Sequence, residues 1–192
     1  MHGEIKIIKI CFLASAASIH SHKWINYFSD LDYEITWISL VPSSINISKN
    51  IDYHEMKGNA FFLLYKVRRL VLELNPDIVH VHYLGSYALL GLFSGANCIV
   101  STPWGSDVIE GKKSFLKRQV LSRLLKKSKI ITCDAYHMRS EVMDFDIHPS
   151  KVYMINFGID TKRFSKQERN IDLLNKFGIS EELTVVSLRN FE

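Results

Sequence analysis

Strand-like and helix-like runs alternate along this chain almost from end to end, and that alternation limits the folds open to it. Ile5 to Leu13 reads as a buried strand and residues 19 to 30 as the helix after it. Glu34 to Val41 is a second strand, in which Ile35, Trp37 and Ser39 alternate with Thr36, Ile38 and Leu40. Ile51 to Met56 is a short third. Phe61 to Leu74 has helical character and stops at Asn75-Pro76, because proline disfavours helix in the residue before it. Asp77 to Tyr83, Asn97 to Thr102, Lys129 to Cys133 and Val152 to Ile155 read as further strands. Ser86 to Phe93, Ser114 to Lys127, residues 135 to 144 and Glu168 to Phe177 read as helices, and Leu183 to Leu188 as a last strand. Alternation of this kind builds βαβ units. It predicts an α/β fold: a Rossmann-like, doubly wound, mostly parallel sheet with helices on both faces. Such sheets bind ligands beyond the carboxyl ends of their strands, which selects the loops after residues 13, 41, 83, 102, 133 and 156.

A length of 192 residues fits one domain, or one domain with the start of another. A chain of this size buries about 70% of its unfolded surface and can build a core without staples. Hydrophobic residues at 47% and charged residues at 23% are the balance of a soluble globular protein rather than a disordered one. No apolar run reaches the roughly 18 residues of a membrane-spanning helix. The start, Met1-His2-Gly3-Glu4, lacks the basic opening of a secretory signal. Cys11, Cys98 and Cys133 form an odd set inside apolar strands. That suits buried free thiols in a reducing cytoplasm, and their wide spacing argues against a metal site.

Several of the selected loops carry chemistry. After the first strand, Ser18 is placed to cap the next helix and leave its amides facing the crevice. His20 and His22 follow, able to bind hydroxyls or move protons near neutral pH; the alternative is an exposed first helical turn. No G-x-G-x-x-G is present, so a dinucleotide site is poorly supported. In Asp77-Ile78-Val79-His80-Val81-His82, period two places His80 and His82 on one face, with His82 at the strand's end. Ser101-Thr102-Pro103-Trp104-Gly105-Ser106-Asp107 turns through proline and glycine and projects Ser106 and Asp107 into the crevice. Asp107 is the candidate catalytic residue, placed to hold hydroxyls; its alternative is to cap a short helical turn.

Charge is uneven. Net charge is +4, yet Lys112, Lys113, Lys117, Arg118, Arg123, Lys126, Lys127 and Lys129 fall in one stretch without an acid. The stretch reads as one amphipathic helix, with Phe115, Leu116, Val120, Leu121, Leu124 and Leu125 on its apolar face. Such a face, led by Lys112, Lys113, Lys117 and Arg118, can lie on anionic lipid; the alternative is a solvated surface. Nucleic acid is disfavoured, since no aromatic residues interleave the basic ones and no binding motif is present.

Four strings occur in order: Ser-Ile-His-x-x-x-Trp from Ser18, Asp-Ile-Val-His-x-His from Asp77, Gly-Ser-Asp from Gly105, and Asn-x-Gly-Ile-Asp-x-x-x-Phe from Asn156 to Phe164. Together they resemble the first domain of family 4 (group 1) retaining glycosyltransferases of the two-domain GT-B fold. The resemblance implies transfer of a sugar from a nucleotide-sugar co-substrate to a glycan or lipid-linked acceptor, with retention at the anomeric carbon and neither cofactor nor obligatory metal. It places the acceptor in this half, against Ser18, His20, His22, His82, Trp104, Gly105 and Ser106. His82 is expected at the cleft rim and His80 in the core. It puts Gly158 near the donor's phosphates, and Asp160 and Phe164 in fixing that loop by capping and packing. A cytoplasmic enzyme at the inner membrane face follows for relatives with lipid-linked acceptors. One departure stands out. The family often has histidine where this chain has Trp104, and a tryptophan can stack on a sugar but cannot exchange a proton. The implied domains are 1–164, the acceptor side, and 165–192, the linker and start of a donor domain. The family's Glu-x7-Glu pair is not found, since Lys176 stands eight residues after Glu168. Expected activity for these residues alone is therefore nil. Two other readings stay open: a stand-alone glycan- or membrane-binding module, and a GT-B-type sugar-nucleotide epimerase.

Overall fold

A computed structural model describes residues 7–179. Seven strands form one all-parallel sheet: β1 (Lys9–Leu13), β2 (Glu34–Ser39), β3 (Ile51–Glu55), β4 (Ile78–His82), β5 (Ile99–Thr102), β6 (Ile130–Cys133) and β7 (Val152–Met154). Their spatial order is β3-β2-β1-β4-β5-β6-β7. Chain order thus reverses between β1 and β4, where Ile10 pairs with Ile78 and Leu13 with Val81. The predicted doubly wound α/β sheet is what the chain forms.

Period two in β1 shows why the sheet is covered on both faces. Ile10 and Phe12 enter one core with Ile25, Ile35, Trp37 and Ile51. Cys11 and Leu13 enter the other with Val79, Val81, Leu84, Leu121, Leu124 and Ile131. Strands buried on both faces read as continuous apolar runs. Phe12 and Trp37 are fully buried, and each such side chain contributes about 1.5–3 kcal/mol.

Helices α1 (Ile19–Ser29), α2 (Ala60–Leu74), α3 (Leu84–Phe93), α4 (Ser106–Lys112), α5 (Phe115–Lys127) and α6 (Tyr136–Met143) connect the strands. Asn59 caps α2 through a bond from the Phe62 N–H, and Asn75 ends it in the left-handed region at φ +44°, directly before Pro76. Close packing of α3 requires Gly91: a Cβ there would lie 2.6 Å from Val81 Cγ2 on β4.

A second unit begins at Gly158, after Phe157. In it Asp160 Oδ1 accepts from the N–H groups of Lys162 and Arg163, while Phe164 is exposed rather than packed. A short helix, α7 (Ile171–Lys176), is capped by Asn170. It is shorter than the expected helix over Glu168 to Phe177. The strand expected at Leu183 to Leu188 lies outside the described residues. The structure also makes a seven-residue helix of α4, where the sequence reading offered only a short helical turn capped by Asp107.

Candidate functional site

The carboxyl ends of β1 and β4 open at the reversal of strand order, the place where open α/β sheets bind ligands. Five strand ends bring side chains there: His20 after β1, His82 and Tyr83 at β4, Trp104 after β5, Asp134 after β6 and Phe157 after β7. Trp104 is the hub. Its ring lies 5.5 Å from His20, 5.8 Å from Tyr83, 5.9 Å from Phe157 and 6.1 Å from His82, all edge-on. His20 stacks on Phe157 at 4.7 Å. Beside that stack, Lys23, Trp24, Tyr27, Phe28 and Phe157 wall a groove of about 420 Å³.

Each sequence-derived candidate now has a place. Ser18 caps α1, its Oγ accepting from the His20 N–H at 3.2 Å. His20 is half-buried in the crevice. Burial lowers its pKa below the ordinary imidazole value, Lys23 adds to that, and the charge of Asp134 opposes it. His22 is not in the crevice. Two residues along a helix turns a side chain by about 200°, and His22 is buried, its Nε2 2.9 Å from the Ala16 carbonyl and 3.2 Å from Ser43 Oγ.

His80 sits in the core as expected, its Nε2 2.7 Å from Thr102 Oγ1, which in turn lies 2.7 Å from Thr132 Oγ1. His82 is not at the rim. It is fully buried beneath the crevice floor, against Trp24, Phe12 and Trp104. The covering rings come from distant loops, which strand periodicity does not register. Burial drives the His80 pKa down to about 3 and that of His82 well below the usual range, so both rings are neutral.

Asp107 is buried, and its carboxylate is engaged by the backbone. Oδ1 accepts from the N–H of Gly105 (2.8 Å), Trp104 (3.0 Å) and Val108 (3.0 Å), and Oδ2 from Leu84 (2.6 Å). Burial raises its pKa, and the four N–H groups act against that rise. This geometry is that of the capping alternative. Gly105 precedes α4 at φ +124°, a conformation that favours glycine, and Ser106 is exposed in the first turn. Tyr83, a non-glycine residue at φ +53°, turns β4 into α3, a strained placement that costs on the order of 1–3 kcal/mol. Gly158 takes φ +61° and belongs to the second unit.

Several buried polar atoms here have no partner in the protein: both ring nitrogens of His82, Trp104 Nε1, His20 Nδ1 and Asp134 Oδ1. Buried polar atoms are usually paired, so such a cluster calls for an explanation. Sequence reasoning selected the loop after residue 133 but passed over Asp134. Its place at the carboxyl end of a strand was the available signal. Among the described residues, no three His, Cys, Asp or Glu side chains come together as a metal site.

The basic stretch is not one helix. It is divided between the end of α4 and α5. Lys112 is withdrawn from the surface set, with Nζ 2.5 Å from Glu141 and 2.7 Å from Asp144, and Lys113 pairs with Glu110. Leu121, Leu124 and Leu125 are buried, but Phe115 and Leu116 are 74% and 75% exposed, next to Lys117 and Arg118. Behind them lies an apolar cavity of about 280 Å³, lined by Leu84, Ala88, Leu89, Val120 and Leu121, with Lys117 and Asp107 also contributing. No helix among the described residues is long and apolar enough to cross a membrane.

A seven-stranded parallel sheet with helices on both faces and a polar, aromatic-walled crevice at its switch point defines a Rossmann-like domain. Residues 9–135 match the family model described as glycosyl transferase 4-like, and the chain belongs to that family. No curated protein sequence matches the chain. Three solved structures share the fold. A glycosyltransferase from Rickettsia africae has 15% identity and a TM-score of 0.60, covering 93% of this chain and 51% of its own. Anabaena HepE in complex with UDP-glucose has 12% identity and a TM-score of 0.63, covering 89% and 50%. A UDP-N-acetylglucosamine 2-epimerase from Rickettsia bellii has 12% identity and a TM-score of 0.61, covering 91% and 52%. The chain spans about half the length of these structures.

Proposed function

We propose that this chain is the acceptor side of a retaining glycosyltransferase, which moves a sugar from a nucleotide-sugar to a glycan or lipid-linked acceptor. The observation that carries this reading is the set of unpartnered polar atoms around Trp104 at the switch point, in a member of the glycosyl transferase 4-like family. Hydroxyl-rich ligands suit such a set, since each hydroxyl both donates and accepts. Trp104 supplies a flat apolar ring for a sugar face. His20, neutral and half-buried, is a group that can take the acceptor hydroxyl's proton as the new glycosidic bond forms. Asp107 shapes the loop from beneath rather than reacting. The nucleotide-sugar is a co-substrate, held by a second domain, and neither cofactor nor metal takes part.

Support for a lipid-linked acceptor comes from the exposed Phe115 and Leu116 beside Lys117 and Arg118, and from the apolar cavity behind them. Peripheral contact with the cytoplasmic face of an anionic membrane follows. The family match favours transfer over the epimerase alternative.

The test is to express the whole open reading frame encoding this chain and assay it with a panel of nucleotide-sugars and membrane lipid extracts. Acceptor-dependent release of nucleoside diphosphate is expected, with an unchanged anomeric configuration in the product by NMR. Residues 1–192 alone should release none; turnover by them would refute the half-enzyme reading. Release by the whole product with no acceptor present would refute transfer.

A further inference from the structure

We propose that Asp134 is the hydroxyl-selecting residue of the crevice. Its Oδ1 accepts a hydrogen bond from a hydroxyl of the acceptor sugar, beside the indole N–H of Trp104 and the imidazole of His20. The inference rests on the acceptor-side reading and deepens it by naming the group that discriminates among acceptors.

Three observations lead there. First, Asp134 Oδ1 is buried yet takes no hydrogen bond from the protein. A carboxylate oxygen without a donor forfeits strong hydrogen bonds and is costly to keep. Asp107, another carboxylate at this end of the sheet, shows the contrast: four backbone N–H groups satisfy it. Asp134 serves no such bracing role. Second, its unpartnered neighbours complement it. Trp104 Nε1 is donor only, Asp134 is acceptor only, and a neutral His20 is one of each. A polyol with adjacent hydroxyls can donate to Asp134 and accept from Trp104. Third, fully buried His82 adds two more unpaired ring nitrogens under Trp104, so the unmet polar demand is not confined to one carboxylate oxygen. Strand register puts Asp134 next to Trp104: Ser101 pairs with Ile131, and Trp104 and Asp134 each stand three residues beyond that pair, while the His20 ring lies 5.5 Å from the Trp104 ring.

This arrangement discriminates. A site built to bond a hydroxyl rejects the analogue lacking it far more strongly than an apolar pocket rejects an extra group. Acceptors lacking the hydroxyl that meets Asp134 should therefore bind poorly, however well they stack on Trp104.

The experiment uses the 192-residue chain and a panel of methyl glycosides with their monodeoxy analogues, read by ligand-observed and histidine-observed NMR. Wild type should bind at least one glycoside. Asp134→Asn should weaken that binding at least tenfold, as loss of a charged hydrogen bond does. One deoxy analogue should lose affinity against wild type but not against the variant. A ligand-free readout guards against a folding defect: Asp134→Asn should also move the His20 titration to lower pH, because the carboxylate raises it. Equal glycoside binding by a folded Asp134→Asn variant would overturn the inference and leave the acceptor-side reading intact. An unmoved His20 titration would break the proposed pairing. Failure of wild type to bind any glycoside would sink both.

Discussion

The Asp107 carboxylate accepts a 2.6 Å hydrogen bond from the Leu84 N–H, joining the first turn of α4 to the first turn of α3. Because the same carboxylate holds Trp104, Gly105 and Val108, it sets where the Trp104 ring stands. Asp107→Ala would leave the N–H groups of Leu84, Trp104 and Gly105 without an acceptor, while Val108 keeps its 3.0 Å bond to the Gly105 carbonyl. At about 1 kcal/mol or more for each buried donor left unmade, a loss of roughly 3–5 kcal/mol is expected in urea unfolding. Asp107→Asn should lose less, since its oxygen still serves Oδ1's partners. If Asp107→Ala unfolds at the wild-type midpoint, the bracing role is wrong.

Stability should fall on acidification. His80 and His82 are neutral in the fold, with His80 titrating at about 3 and His82 well below the usual range, whereas in the unfolded chain each binds a proton below about 6.5. Between about pH 3 and pH 6.5 the unfolded state therefore holds more protons, so stability rises with pH and is lost as pH drops. The slope is about 1.4 kcal/mol per pH unit for each ring. His82→Phe, which removes one proton site and fills the same apolar surroundings, should make the dependence below about pH 6.5 roughly half as steep. An unaltered slope would contradict the assignment.

Vesicle binding should depend on α5, not on the whole basic stretch. Reversing Lys117 and Arg118 should weaken binding to anionic vesicles by roughly 30-fold or more, taking about 1 kcal/mol for each basic residue near the surface. Phe115→Ser should weaken it too. Lys112→Gln should not, because Glu141 and Asp144 already neutralise that amine. Sedimentation that ignores Lys117 and Arg118 would remove the membrane contact from the functional picture.

Thiol labelling should count one fast cysteine. Cys11 and Cys133 are buried, and burial pushes their thiols up to about 12 and about 11, which disfavours the reactive thiolate. Cys98 is only part-buried. One equivalent per folded chain and three after denaturation are expected; three fast equivalents in the folded state would mean the sheet opens readily.

What the sequence made legible was set by range. Period two in β2 and β4, the Asn75-Pro76 stop and the cap at Ser18 are local, and the structure agrees with them. Helix α4 was hidden because seven residues following Pro103 and Gly105, with Gly111 among them, look like a turn. Gly111 is there because Leu121 would lie 2.2 Å from a Cβ, a contact between two helices that no local pattern reports. His22 and His82 were misplaced for a related reason. A side chain's direction along an element is readable, but the Trp37 ring against His22 and the Trp24 ring over His82 come from elsewhere in the chain. Asp134 was passed over because its one signal, a place at the carboxyl end of a strand, is shared by other residues there, and its missing partners are visible only in the fold.

The Trp104 crevice draws on five separate strand ends, each followed by its own connection. The sheet beneath fixes the positions of these side chains while placing little restriction on what each connection carries. The backbone positions at the strand ends are therefore insulated from one another even though the Trp104 ring touches its neighbours: replacing one strand-end residue alters the side-chain packing around it and leaves the sheet register beneath unchanged. A histidine-to-tryptophan exchange at a single rim position is the kind of edit such a scaffold can absorb without refolding.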